Sequence, residues 1–114
     1  MSADESSPAD ATGPGHEDRE PARVVRVRGE FDLDRLAPLE QALAQASTAA
    51  RVVILDASQI TFGDSSFLNL LLHVNRQTRL RILRPQSQFR RLMALTGTDA
   101  VLDVREDMED ALRP

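Results

Sequence analysis

Residues 51–75 read Arg51-Val52-Val53-Ile54-Leu55-Asp56-Ala57-Ser58-Gln59-Ile60-Thr61-Phe62-Gly63-Asp64-Ser65-Ser66-Phe67-Leu68-Asn69-Leu70-Leu71-Leu72-His73-Val74-Asn75. The stretch opens on four apolar residues, 52–55, with no polar alternation. A strand of that kind has both faces covered, as in a parallel sheet. From Ser65 onward the period changes. Phe67, Leu68, Leu71, Leu72 and Asn75 stand three or four apart, and Leu70 and Val74 widen the stripe, which predicts an amphipathic helix. Residues 56–64 form the exit from the strand, with Ile60 and Phe62 available to anchor it. A covered strand leading into a helix is half of a β-α-β unit.

The flanking segments repeat the alternation. Val24-Val25-Arg26-Val27-Arg28 sets Val25 and Val27 against Arg26 and Arg28, a strand with one wet face near a sheet edge, ended by Gly29. Leu36, Leu39, Leu43 and Ala46 follow at helical spacing. Pro38 fits only the first turn, so this helix starts near Ala37. Downstream, Arg79-Leu80-Arg81-Ile82-Leu83 predicts a third strand, stopped by Pro85. Ser87 is the expected cap of a helix carrying Phe89, Leu92, Met93 and Leu95, and Gly97 stands where its C-terminus needs a left-handed residue. Residues 100–104 predict a fourth strand and 106–112 a last helix, with acids in its first turn. The order β-α-β-α-β-α-β-α implies an α/β fold with a mostly parallel sheet.

Charge separates the ends of the chain. The net charge is −4 and every basic residue is arginine. Residues 1–22 hold six acids against Arg19, whereas the rest holds thirteen arginines against twelve acids. The first 22 residues also carry Pro8, Pro14, Pro21, Gly13 and Gly15, with Met1 as the one large apolar side chain. Such a segment cannot bury enough surface to offset the ordering of its backbone, so a disordered acidic tail is expected at 1–22 and the folded domain at 23–114. A near-neutral body argues against direct nucleic-acid binding. Cysteine is absent, which excludes disulfides and thiolate sites. The apolar runs are too short to span a bilayer, and the acidic N-terminus is unlike a secretory signal, so no membrane association and a cytoplasmic location are expected.

Asp64-Ser65-Ser66 lies between the covered strand and the helix. Taken alone it reads as a helix cap, with the Asp64 carboxylate accepting from Ser66 or Phe67 N–H. Topology adds to this. Loops that follow parallel strands gather at one edge of the sheet, where ligands and partners bind. Gly29-Glu30-Phe31-Asp32 follows the first strand and residues 61–66 follow the second, so Asp32 is expected near Asp64 and Ser65. A serine hydroxyl exposed at a helix N-terminus can accept a phosphoryl group, because free N–H groups and the dipole tolerate an added charge of roughly −1.5 to −2.

Four segments in this order resemble the motifs of STAS domains, and among them bacterial anti-sigma-factor antagonists. They are Arg28-Gly29-Glu30-Phe31-Asp32, Val53-Ile54-Leu55-Asp56, Ile60-Thr61-Phe62-Gly63-Asp64-Ser65-Ser66, and Phe89-Arg90-Arg91-Leu92-Met93-Ala94-Leu95-Thr96-Gly97. The resemblance covers about residues 23–112. It implies a STAS-type single domain, with a mixed, mostly parallel sheet of four to five strands flanked by about four helices. It also implies a partner switch. The protein binds an anti-sigma factor that is a serine kinase, is phosphorylated at Ser65 and released, and is reset by a serine phosphatase. Asp32, Asp64, Ser65, Ser66 and Phe67 would contact the partner. No cofactor is implied, and a weak dimer is compatible with the family.

Three positions depart from the family pattern. Phe67 stands where glycine is usual, and either packs inward or obstructs a kinase. Gly63 replaces a larger apolar residue and would loosen the loop. Residues 16–22, polar and with Pro21, replace the first family strand, which implies a trimmed sheet with an exposed edge. The first two departures motivate a second reading, a non-phosphorylated STAS scaffold or transporter accessory subunit. An enzyme is not expected: there is no G-x-S-x-G elbow, no Gly-rich phosphate loop, and neither His16 nor His73 has a second metal ligand at usable spacing. Phe89 and Met93 read as core, Arg90 and Arg91 as a solvated helix face, and the acids of residues 106–110 as the solvated face of the last helix.

Overall fold

A computed structural model of the chain describes residues 19–114. In chain order the elements are β1 (Glu20–Arg26), β2 (Gly29–Phe31), α1 (Ala37–Ala49), β3 (Ala50–Asp56), β4 (Ile60–Gly63), α2 (Ser65–Gln77), β5 (Arg79–Leu83), α3 (Ser87–Thr96), β6 (Asp103–Arg105) and α4 (Met108–Ala111). Single 3-10 turns occupy Leu33–Arg35 and Thr98–Ala100. The main sheet has the order β1-β3-β5-β6, and each neighbouring pair is parallel. β2 and β4 pair, also parallel, as a small second sheet. The expected α/β architecture, a mostly parallel sheet of four to five strands flanked by about four helices, is the observed one among the described residues, where every strand pair is parallel.

β3 explains the apolar run at its centre. It is hydrogen-bonded to β1 on one side and β5 on the other. Val53 and Leu55 face the larger core with Leu39, Leu43 and Ala46 of α1, Phe67, Leu68, Leu71 and Val74 of α2, and Phe89 and Met93 of α3. Ile54 faces the opposite side, beside Leu83 of β5 and under Ala111 of α4, and Ala22, Val24 and Val52 complete a smaller cluster. Full burial of such side chains contributes about 1.5–3 kcal/mol each, which makes the larger cluster the main source of stability.

Several boundaries differ from expectation. β1 starts at Glu20, three residues ahead of the expected domain start. Pro21 is tolerated there because β1 forms the edge of the sheet among the described residues, where a missing N–H breaks no ladder. The rest of the expected tail, residues 1–18, lies outside the described residues. The fourth strand is shorter and later than residues 100–104, because Leu102 N–H bonds back to Thr98 O at 2.8 Å and prolongs the turn that follows Gly97. The last helix is only Met108–Ala111, capped by Asp107, whose carboxylate accepts from Asp110 N–H at 2.8 Å. Ser87 is the first residue of α3 and not its cap; Gln86, extended after Pro85, holds that position and sends its amide to Ser58 O at 2.7 Å. Gly97 adopts φ 76°, as a helix stop at that point requires. Arg90, Arg91, Glu106, Asp107 and Glu109 are exposed, as expected of solvated faces, and Arg90 pairs with Glu106 at 2.8 Å on that surface.

Arg81 is the one buried charged side chain among the described residues. It donates to Ala111 O at 2.6 Å and to Arg113 O, and lies 3.7 Å from Asp103. It therefore fastens α4 to β5. Arg81→Met is expected to lower stability by about 1–3 kcal/mol, because the two carbonyls lose their donor. Amide exchange should accelerate at Ala111 and Leu112 while the β5 amides stay protected. Equal acceleration in both elements would show that Arg81 supports the sheet and not the helix.

Candidate functional site

The small sheet sets the geometry of the site. Phe31 pairs with Gly63, and Asp64 N–H bonds to Phe31 O at 3.3 Å. The residues that follow these partners, Asp32 and Asp64, are thereby brought side by side at the ends of β2 and β4. Each then caps a helical turn. Asp32 Oδ1 accepts from Asp34 N–H at 3.1 Å, and Asp64 Oδ1 accepts from Phe67 N–H at 3.1 Å. The sequence left open which amide Asp64 would bind, and it is that of Phe67.

Ser65 is the first residue of α2 and is exposed. Its hydroxyl has no hydrogen-bond partner among the described residues. Ser66 is half-buried and lines an open groove of about 370 Å³ together with Leu33, Leu36, Asn69, Leu70 and His73. Asp32 and Asp64 are half-buried. The carboxylates, the exposed hydroxyl and the groove therefore share one surface.

Phe67 departs from expectation as a contact residue. It is fully buried, with its ring 5.8 Å from that of Phe31 and 5.1 Å from that of Phe89. It reaches no surface and cannot touch a partner directly. It also does not cover Ser65. Its neighbour in space is Gly63: a Cβ built on Gly63 would come 2.3 Å from the Phe67 ring. Gly63 is not in the left-handed region, so its lack of a side chain is needed for space and not for backbone freedom. The expected loosening of the loop is corrected accordingly, since Gly63 is buried, paired with Phe31 in the small sheet, and packed on an aromatic ring.

Two features of this surface were not read from the sequence. Leu33, in the 3-10 turn beside Asp32, is 72% exposed. Its spacing to Leu36 and Leu39 would place it on the core stripe of α1, but the break in helical phase at Leu36 turns it outward. Arg35 bonds Glu30 at 2.7 Å, and that hydrogen bond, then the field of Asp32, raises its guanidinium above the usual value. Of the two expected anchors of the exit from β3, Ile60 is buried and Phe62, on β4 next to Gly63, is instead exposed.

With this geometry in place, the comparisons with known proteins are consistent. The family described as "Mlab, STAS domain" matches residues 16–106. The chain belongs to the STAS domain family. A solved anti-sigma factor antagonist from Mycobacterium paratuberculosis is 30% identical, with a TM-score of 0.70 over 83% of this chain and 86% of that one. Two structures of the anti-sigma factor antagonist SpoIIAA share the fold. The unphosphorylated form is 23% identical, with a TM-score of 0.61 over 79% of this chain and 84% of the other. The phosphorylated form, described as a Bacillus cell fate determinant, is 22% identical, with a TM-score of 0.59 over 79% and 87%. No curated protein sequence matches the chain. Among the described residues of this STAS domain, no helix is long and apolar enough to cross a membrane. The family match begins ahead of β1, so the question of a further N-terminal strand falls on residues outside those described.

Proposed function

We propose that this STAS domain is an anti-sigma-factor antagonist that binds an anti-sigma factor with serine kinase activity through the Asp32, Asp64, Ser65 and Ser66 surface, and that phosphorylation of Ser65 releases it. The observation that carries the reading is the exposed, unbonded Ser65 hydroxyl at the first turn of α2, set beside two capping carboxylates. The 30% identical antagonist supports the same role at the level of the whole domain. In the reaction, Ser65 Oγ attacks the γ-phosphorus of ATP. The bond to the β-phosphate oxygen breaks, ADP leaves, and the hydroxyl proton passes to a base of the kinase. A serine phosphatase returns the hydroxyl by hydrolysis.

The fold tolerates the product. The phosphate sits over the N-terminal end of α2, where the helix dipole favours negative charge. The effect falls on the partner, which must desolvate or repel a dianion next to Asp64. The reading of a non-phosphorylated scaffold or transporter accessory subunit drew on Phe67 and Gly63. Those residues pack on each other in the interior and leave Ser65 uncovered, so they no longer favour it.

Incubation with the cognate kinase and ATP, followed by mass spectrometry, is expected to give one phosphate on Ser65 and none on Ser65→Ala. Modification of another residue with Ser65 untouched would overturn the assignment. Recovery of a transporter ATPase and no kinase from a pull-down would replace the reading with the scaffold.

A further inference from the structure

The face of the main sheet opposite α1–α3 is thinly covered. α4 has only four residues, and Ala22, Val24 and Val52 are left half-buried beside it. At the N-terminal ends of β1, β3 and β5 this face opens into a groove of about 540 Å³. Its apolar floor comes from Ala22, Val52 and Leu112, and its rim from Arg51, Arg79 and Arg113. The nearby acids are already engaged: Asp103 binds Arg105 at 2.7 Å, and Glu20 binds Arg23. Among the described residues, Arg79 and Arg113 have no such partner. The groove is therefore positive with an apolar base, and it lies at the other end of the strands from Ser65.

We propose that the acidic segment 1–18 of this chain occupies that groove. Charge complementarity is the first reason. Residues 1–18 contain Asp4, Glu5, Asp10, Glu17 and Asp18 and no arginine. The second is the point of attachment. The segment joins the domain through Arg19 and Glu20 to Pro21, and Pro21 itself lines the groove. Asp18 is three residues from Pro21, within about 10 Å of chain. Binding across so short a tether benefits from an effective concentration on the order of millimolar, so weak contacts suffice. Pro8, Ala9, Ala11 and Pro14 supply modest apolar surface for the floor. The proposal is independent of the role assigned to Ser65.

The chain has no cysteine, so a nitroxide can be placed at one site through Ser7→Cys in the full chain. In about 0.01 M salt the amides of Ala22, Val52, Arg79 and Leu112 are expected to lose roughly half or more of their intensity, and to recover it in about 1 M salt, where charges are screened within a few ångströms. The exposed pair Arg79→Gln and Arg113→Gln should abolish the loss without unfolding the domain. Broadening that is uniform, or centred on Ser65, would overturn the proposal. So would broadening of the same amides by a labelled copy in trans when the label in cis leaves them sharp, because the occupant would then be a second chain.

Discussion

Phe67→Ala is expected to lower the unfolding free energy by about 3–5 kcal/mol, the usual cost of emptying a buried phenylalanine site. The ring is fully buried and bridges Phe31 of the small sheet to Phe89 of α3, so its loss also uncouples two layers. A domain of this size has only about 5–15 kcal/mol in total. Gly63→Ala is expected to cost about 1–3 kcal/mol for the opposite reason, overpacking, because the new methyl meets the Phe67 ring at 2.3 Å. The two changes should not add. With the ring gone the methyl at position 63 has room, and the double variant should recover on the order of 1–2 kcal/mol relative to the sum. Urea midpoints at unchanged slope measure all three. Strict additivity would show that Gly63 is glycine for a reason other than the ring.

That pair also marks the limit of what the sequence could tell. The run at residues 52–55 disclosed a two-faced central strand because burial on both sides leaves no polar position. α1, α2 and α3 were legible from period and from boundary signals, Pro38 at the start of α1 and Gly97 at the end of α3 among them. The small sheet was not. β2 and β4 are three and four residues long, too short for alternation to register, and Glu30 and Thr61 make them look like loop. Phe67 and Gly63 read as two separate departures from the family, yet in space they form one compensating contact. They are separated by one turn of chain, and only the packing shows that the glycine makes room for the ring. Leu33 was hidden differently, by a 3-10 turn that shifts the helical phase. Of the candidate residues, Asp32, Asp64, Ser65 and Ser66 come together as topology requires of loops after parallel strands, and Phe67 alone turns inward.

Ser65→Asp is expected to bind the anti-sigma kinase roughly tenfold to thirtyfold more weakly than Ser65→Ala, a difference of about 1.5–2 kcal/mol. The phosphorylated chain should be weaker again, by a few hundredfold in total, or about 3–4 kcal/mol, because it carries nearly twice the charge. Charge and fold pull in opposite directions here, which makes the test selective. A carboxylate at the first turn of α2 is favourable for the helix by about 0.3–1 kcal/mol, so Ser65→Asp should melt no earlier than the unaltered chain. Any loss of affinity therefore belongs to the interface, where the new charge stands beside Asp64 and near Asp32. Titration calorimetry at two salt concentrations separates the two sources of that loss. If repulsion dominates, added salt restores part of the affinity of Ser65→Asp and none of that of Ser65→Ala. If desolvation dominates, both respond alike. Equal affinity of the two variants would mean that the hydroxyl, however exposed, lies outside the surface the partner covers, and that the groove lined by Leu33, Leu36 and Leu70 binds without it.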